Sequence, residues 1–200
     1  MKKTVYQVLA QVFGIVLIVV GIGALSGGLY AHNYVTSQLS QEKITMPSGD
    51  AITALPQASQ KALQPFAGKP MTTGTQAQAY ANHFIWEHMQ AACQNVKDAN
   101  GNAVPAVPAD QCTFAGVGQA AGGATSTAAK TAYNTLRSTI FQGDSLRSML
   151  LTAYAFWLVG SIAFWGAIAC FVIGVVLIYL GFFYLNTKKA AAPQTEASMQ

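Results

Sequence analysis

Apolar residues gather at the two ends of the chain, in runs that hold no charged residue. The first runs from Thr4 to Asn33. A bilayer core of about 30 Å needs only about 20 helical residues, so this run predicts a membrane-spanning helix over 5–30, with residues 1–4 ahead of it. The second, Ser148 to Thr187, would extend about 60 Å as a single helix. It predicts a span over 148–186, whose outer part has length enough to protrude. Two spans would fit that length, but a hairpin needs a polar turn, and Val159-Gly160-Ser161-Ile162 offers one weak breaker. One long helix, starting near Asp144-Ser145, is the simpler reading. A leading Lys-Lys also opens secretory signal peptides, whose apolar region is typically about 7–15 residues. The first run is longer, so a retained anchor is expected even though Ser26-Gly27-Gly28 would serve as a cleavage site.

Between the runs, at 31–147, the pattern changes to short mixed segments. Ala31 to Lys43 has no Gly or Pro and continues the first helix outward, which puts His32 and Tyr34 at headgroup depth, where Tyr anchors helices. Ile44 to Pro47 reads as extended, Ser48-Gly49-Asp50 as a turn, and Ser59 to Leu63 as a single helical turn among prolines. The clearest helix begins at a Thr73 or Thr75 cap and runs to about Cys93, with Ala77, Tyr80, Phe84 and Met89 as its packing stripe. Gly116 to Ser126 reads as a flexible small-residue linker. A further helix from Thr127 to Arg137 is expected to break around Gly143, before Asp144 or Ser145 caps the second span.

Composition agrees with the end runs: 52% of residues are hydrophobic and 9% charged, against roughly 25% charged in soluble domains. The net charge of +4 is mostly a topological signal. Lys2 and Lys3 precede the first span and Lys188 and Lys189 follow the second, which places both termini in the cytoplasm and 31–147 outside. Arg147 lies on the other edge, but long translocated loops are read less strictly and Arg snorkels. With seven basic and six acidic residues the loop is close to neutral, so nucleic-acid binding has no support.

Few residues suggest chemistry. His83 and Glu87, one turn apart, are candidate metal ligands, but His88 is five residues from His83 and the run is not H-E-x-x-H; a solvated, hydrogen-bonded helix face is the plainer reading. No nucleophile triad, Cys-x-x-Cys or phosphate loop stands out, and no cofactor is implied. Cys93 and Cys112 bracket a turn-rich segment around Asn100-Gly101-Asn102 and, in an exported loop, are expected to pair; closing a loop of that size is worth about 3 kcal/mol in the chain-entropy account. Small residues recur every seven positions in both runs: Gly14, Gly21 and Gly28, then Ala153, Gly160, Ala167, Gly174 and Gly181. Such stripes let helices approach closely in lipid, and the two are expected to pack antiparallel. Gly23 and Gly27 add a G-x-x-x-G on a neighbouring face for a partner helix. Neither span holds an ionisable Asp, Glu, Lys, Arg or His for an ion path, and Cys170 reads as a small apolar residue.

Three stretches carry a likeness: Glu42-Lys43-Ile44-Thr45-Met46-Pro47, Phe66-Ala67-Gly68-Lys69-Pro70 with the helix that follows to His88, and Ser145-Leu146-Arg147-Ser148-Met149-Leu150 leading into Ala155-Phe156. In these and in its two spans the chain resembles a family of uncharacterised two-pass membrane proteins common in actinobacteria, some of which carry an aromatic ring-opening dioxygenase label. The segment from Cys93 to Cys112 departs from the family pattern. Ring-opening iron chemistry needs two His and a carboxylate in a facial arrangement, and no part of this sequence supplies that pattern.

The expectation is therefore a mainly α protein of the cell membrane: an antiparallel two-helix transmembrane hairpin, a small disulfide-stapled extracytoplasmic cap over 31–147, and a cytoplasmic tail over 187–200. Its expected partners are the lipid bilayer and other membrane proteins or copies of itself. The expected role is a non-enzymatic accessory or structural subunit of a larger envelope or respiratory complex. The alternative is a membrane-anchored sensor whose cap binds a small ligand or metal.

Overall fold

The computed structural model describes residues 2–184, with side chains from Val5 to Phe183; the side chains of Lys2 and Lys3, the end of the second predicted span, Lys188, Lys189 and the tail lie outside the described residues. In order, the chain forms α1 (Lys2–Gln41), α2 (Asp50–Thr53), α3 (Gln57–Leu63), α4 (Gly74–Tyr80), a π-helical turn (Ala81–Ile85), α5 (Trp86–Gln94), α6 (Phe114–Gly123) and α7 (Thr127–Tyr179). Among the described residues there are no strands; extended chain pairs only at two isolated bridges, Thr45 with Pro70 and Lys97 with Ala103. The protein is mainly helical, and α1 and α7 are each long and apolar enough to cross a membrane.

The chain divides into two compact units, Met1–His32 with Val159–Gln200, and Asn33–Leu158; α1 and α7 contribute to both. In the first unit the two helices run antiparallel with glycines at the contact. A Cβ on Gly14 would lie 2.8 Å from the Gly174 carbonyl oxygen, and one on Gly28 2.8 Å from that of Gly160. Gly21 lies under the Phe171 ring and Gly181 against Gln11, while Ala167 is fully buried. Backbones this close need residues without bulk. His32 adds a polar tie, its Nε2 3.0 Å from Ser161 Oγ. The large side chains point the other way: Val5, Ile162 and Trp165 are 63%, 65% and 68% exposed. Only 11% and 17% of the most apolar stretches of the two helices are buried, so at this contact the unit buries small residues and bares its large ones.

The second unit has two cores. One surrounds the Cys93–Cys112 disulfide, whose Cα atoms are 5.9 Å apart, and gathers Met89, Val107, Val117, Tyr133 and Ile140. The other gathers Val35, Leu39, Met46, Leu63, Ala77 and Leu150. The packing stripe expected on one helix face is thus shared out, Ala77 to the second core and Met89 to the disulfide core.

Two sequence expectations are corrected. Gly116 to Ser126 is not a linker: Thr113 Oγ1 accepts the Gly116 N–H at 3.0 Å and starts α6, which sends Gly116, Val117 and Ala121 into the disulfide core. Nor does α7 break at Gly143. It runs unbroken from Thr127, its first turn held by the Ala129 N–H on Ser126 Oγ. The glycine serves a close approach instead, since a Cβ there would lie 2.6 Å from Met89 Sδ.

Candidate functional site

The polar chemistry of the second unit collects around the π turn at Ala81–Ile85. Thr73 sets up the helix that leads into it through a reciprocal cap: its Oγ1 accepts the Gln76 N–H at 3.3 Å, and Gln76 Oε1 accepts the Thr73 N–H at 3.0 Å. Gln76 is buried, and its Nε2 donates to the Pro70 carbonyl, so its polar atoms are satisfied. Gly74 at the start of α4 lies against Trp157, where a Cβ would come within 2.3 Å of the tryptophan Cβ.

A π turn widens the helix by one residue and is frequent at functional sites. Here its first carbonyl, that of Ala81, accepts both the Trp86 N–H and Arg147 Nε, the latter at 3.1 Å. Arg147 also donates to Asn82 Oδ1 at 3.3 Å, lies 3.7 Å from Asp144, and stacks 4.6 Å above the Trp86 ring. Arg147 therefore fastens α7 to the π turn. Sequence reading treated it only as a charge at a span edge; a lone Arg beside a long uncharged run is the feature that pointed to it.

His83 leaves the π turn toward α3. Ser59 of α3, 2% exposed, donates its hydroxyl proton to Glu87 Oε1 at 2.7 Å and lies 3.2 Å from His83 Nδ1. With that proton committed to the carboxylate, the serine oxygen can only accept, so the imidazole donates to it through Nδ1. The order is His83, Ser59, Glu87, with the hydroxyl in the middle. A nucleophilic serine would pass its proton to a histidine held by an acid, so this part-buried hydrogen-bond relay is not in the order of a catalytic triad. Sequence reading found His83 and Glu87 and missed Ser59, because nothing in the Gln57–Leu63 pattern marks that serine as inward.

His83 borders a cavity of about 290 Å³ with Thr75, Gln78 and Asn82 among its polar walls. His88 is elsewhere: its Nδ1 lies 2.8 Å from the Phe84 carbonyl, and its ring packs on Phe84, which packs on Tyr80. Among the described residues no three of His, Cys, Asp and Glu converge. A metal at the relay would find two protein ligands, His83 and Glu87, one fewer than catalytic zinc sites use.

Two further cavities meet at Tyr80, Ile85 and Leu146. The larger, about 460 Å³, is walled by Leu39, Ile44, Leu150 and Ala153 and rimmed by Gln38 and Glu42. The smaller, about 250 Å³, is bordered by Phe84, His88, Thr139 and Gln142. Tyr80 borders both, and burial raises the pKa of its phenol. Ala153, the first of the seven-residue series on α7, thus borders a cavity of the second unit, whereas Gly160, Ala167, Gly174 and Gly181 are buried in the first.

No family model, curated protein or solved structure matches the chain.

Proposed function

We propose that this chain is an integral protein of the cell membrane, with α1 and α7 as its two spans, both termini in the cytoplasm and 31–147 outside. In this reading it is a non-enzymatic accessory or structural subunit of a larger membrane assembly. The observation that carries the membrane placement is the inverted packing of the helix pair, small residues inward and large apolar residues outward. A soluble helix pair would do the reverse, because bared Val, Ile and Trp cost about 25 cal/mol per Å² in water. The subunit role is supported by the Gly23 and Gly27 face of α1, where a Cβ would meet nothing within 4 Å among the described residues. Small residues on an open face suit close approach by another helix.

Gentle detergent extraction of the tagged native protein, with mass spectrometry of what stays bound, tests this role. Membrane proteins in fixed proportion to the chain are expected; a free monomer would contradict it.

A second reading, a sensor whose cap binds a small polar ligand or metal, is favoured by His83 on the wall of the 290 Å³ cavity with Thr75, Gln78 and Asn82. A ligand found by thermal-shift screening and lost in His83→Ala would support it. Retention of that ligand by His83→Ala would remove His83 from the reading.

A further inference from the structure

Of the seven asparagines in the chain, Asn100 alone is followed by glycine. That neighbour matters for one reaction of the side-chain amide, attack on its carbon by the backbone nitrogen of the next residue, because glycine puts no side chain in the path. Asn100 and Gly101 are both exposed, and among the described residues no hydrogen bond holds the Asn100 side-chain amide. The other asparagines of the second unit's turns and caps are held: Asn82 Oδ1 accepts from Arg147, Asn95 Nδ2 donates to the Ala91 carbonyl, and Asn102 Nδ2 donates to Asp98 Oδ2 at 3.0 Å. Asn33 and Asn134 lie within α1 and α7. Asp98 ties the turn around Asn100 with each of its polar groups. Its N–H donates to the Asn102 carbonyl at 2.9 Å, and its carbonyl accepts the Gly101 N–H at 3.0 Å. Its Oδ1 accepts the N–H groups of Asn100 and Asn102, each at 2.9 Å. The Lys97–Ala103 bridge closes the arms of the turn, and the Tyr133 hydroxyl holds the returning arm through the Pro105 carbonyl at 2.8 Å.

We propose that Asn100 is the chain's site of spontaneous deamidation, and that the Asp98 turn slows the reaction by holding the attacking nitrogen. To react, the Gly101 nitrogen must leave the Asp98 carbonyl, lose its proton and bond to Asn100 Cγ. The bond from Cγ to the amide nitrogen then breaks, and ammonia leaves with that proton, closing a five-membered imide. Solvent water opens the imide in one of two ways. Cleavage of the new bond between Cγ and the Gly101 nitrogen leaves aspartate; cleavage of the original peptide bond leaves isoaspartate, with the chain running through Cγ. Either product adds a carboxylate to the turn that already holds Asp98, and isoaspartate also lengthens the backbone of the turn by one carbon. The hydrogen bond that must break first has a net worth of about 0.5–1.5 kcal/mol, and about 1.4 kcal/mol in a barrier is tenfold in rate.

The test keeps the purified full chain in detergent in warm, mildly alkaline buffer and follows aspartate and isoaspartate at every asparagine by peptide mass spectrometry. The same chain, reduced and unfolded in guanidinium, gives the unguarded rate. Asn100 is expected to convert first in both samples, and about tenfold more slowly in the folded chain. Asp98→Ala removes the side-chain oxygens that fix the Asn100 and Asn102 N–H groups and is expected to recover most of that difference. Amide exchange in Phe114–Gly123 at the wild-type rate shows that the Asp98→Ala gain is local to the turn. Asn102→Ala, which removes only the side-chain bond to Oδ2, is expected to raise the rate by a smaller factor with the same core intact, and it decides the matter if Asp98→Ala loosens the core. Earlier conversion at any other asparagine overturns the site. Equal rates in the folded and unfolded chains overturn the guard, as does a wild-type rate in Asp98→Ala or, where that variant's core is loosened, in Asn102→Ala.

Discussion

Ser59 joins a residue pair that the sequence suggested to one that it hid. His83 and Glu87 are legible as neighbours because one helical turn separates them, but their shared partner arrives from 24 residues earlier through a tertiary contact. Ser59→Ala leaves a carboxylate oxygen and an imidazole N–H without their partner, at a cost of about 1–3 kcal/mol; a lowered melting temperature in detergent checks this. Two glycines separate in sign. A Cβ on Gly116 would fall 2.1 Å from the Gln111 carbonyl oxygen, so backbone must move, and Gly116→Ala is expected to cost about 1–3 kcal/mol. A Cβ on Gly143 meets the Met89 side chain and no backbone, and a methionine can change rotamer to make room, while Ala is worth about 1 kcal/mol over Gly inside a helix. Gly143→Ala is therefore expected to melt no lower than the wild type, and the same melting curves decide both. Asp98 gives a pH dependence. The Asn102 side-chain amide, with the Asn102 and Asn100 N–H groups, bonds its carboxylate and holds its pKa below the usual range. A lowered folded pKa means that the contribution is present above the unfolded value and is lost as pH falls through the folded one. The Asn102 amide resonances should hold their folded positions through the ordinary carboxylate range, about pH 3.9, and shift only below it.

At the scale of elements, apolar runs were the legible part, since a stretch of about 20 residues without charge has few folds open to it. The helix that follows Thr73 was legible for a similarly local reason, since either Thr73 or Thr75 ahead of an Ala-rich run can cap it, though only the structure singles out Thr73. What stayed hidden depended on packing. The small-residue stretch at 116–126 reads as loose on propensity alone, yet the Thr113 cap and the fit of Val117 and Ala121 into the disulfide core order it. Gly143 reads as a helix breaker, yet the space it leaves is taken by Met89. The π turn had no sequence mark beyond the tight spacing of large side chains in Phe84-Ile85-Trp86. Thr73→Ala is expected to cost about 0.5–2 kcal/mol through loss of the reciprocal cap, read as faster amide exchange in Gly74–Tyr80. On α1, Gly28→Leu puts bulk against the Gly160 carbonyl whereas Gly23→Leu points into open space. Only the Gly28 variant should lower the melting temperature of the chain in detergent; if the subunit role holds, the Gly23 variant loses partners instead.

For the whole molecule, the disulfide and the helix pair act on different parts. Cys93 and Cys112 close a loop whose Val96 and Val107 share a core with Val117 and Ala121 of α6. Reduction is expected to cost about 3 kcal/mol and to loosen that core, seen as faster exchange in Phe114–Gly123. The central claim, two spans with 31–147 outside, is tested most directly by the chain's own lysines. Lys43, Lys61, Lys69, Lys97 and Lys130 are exposed in the second unit, and Lys2, Lys3, Lys188 and Lys189 flank the proposed spans. Intact cells treated with a membrane-impermeant amine reagent, with the sites mapped by peptide mass spectrometry, should show label on the first five and none on the flanking four until the cells are lysed. Label on Lys188 or Lys189 in intact cells, or lysines at 43–130 that react only after lysis, would contradict the account.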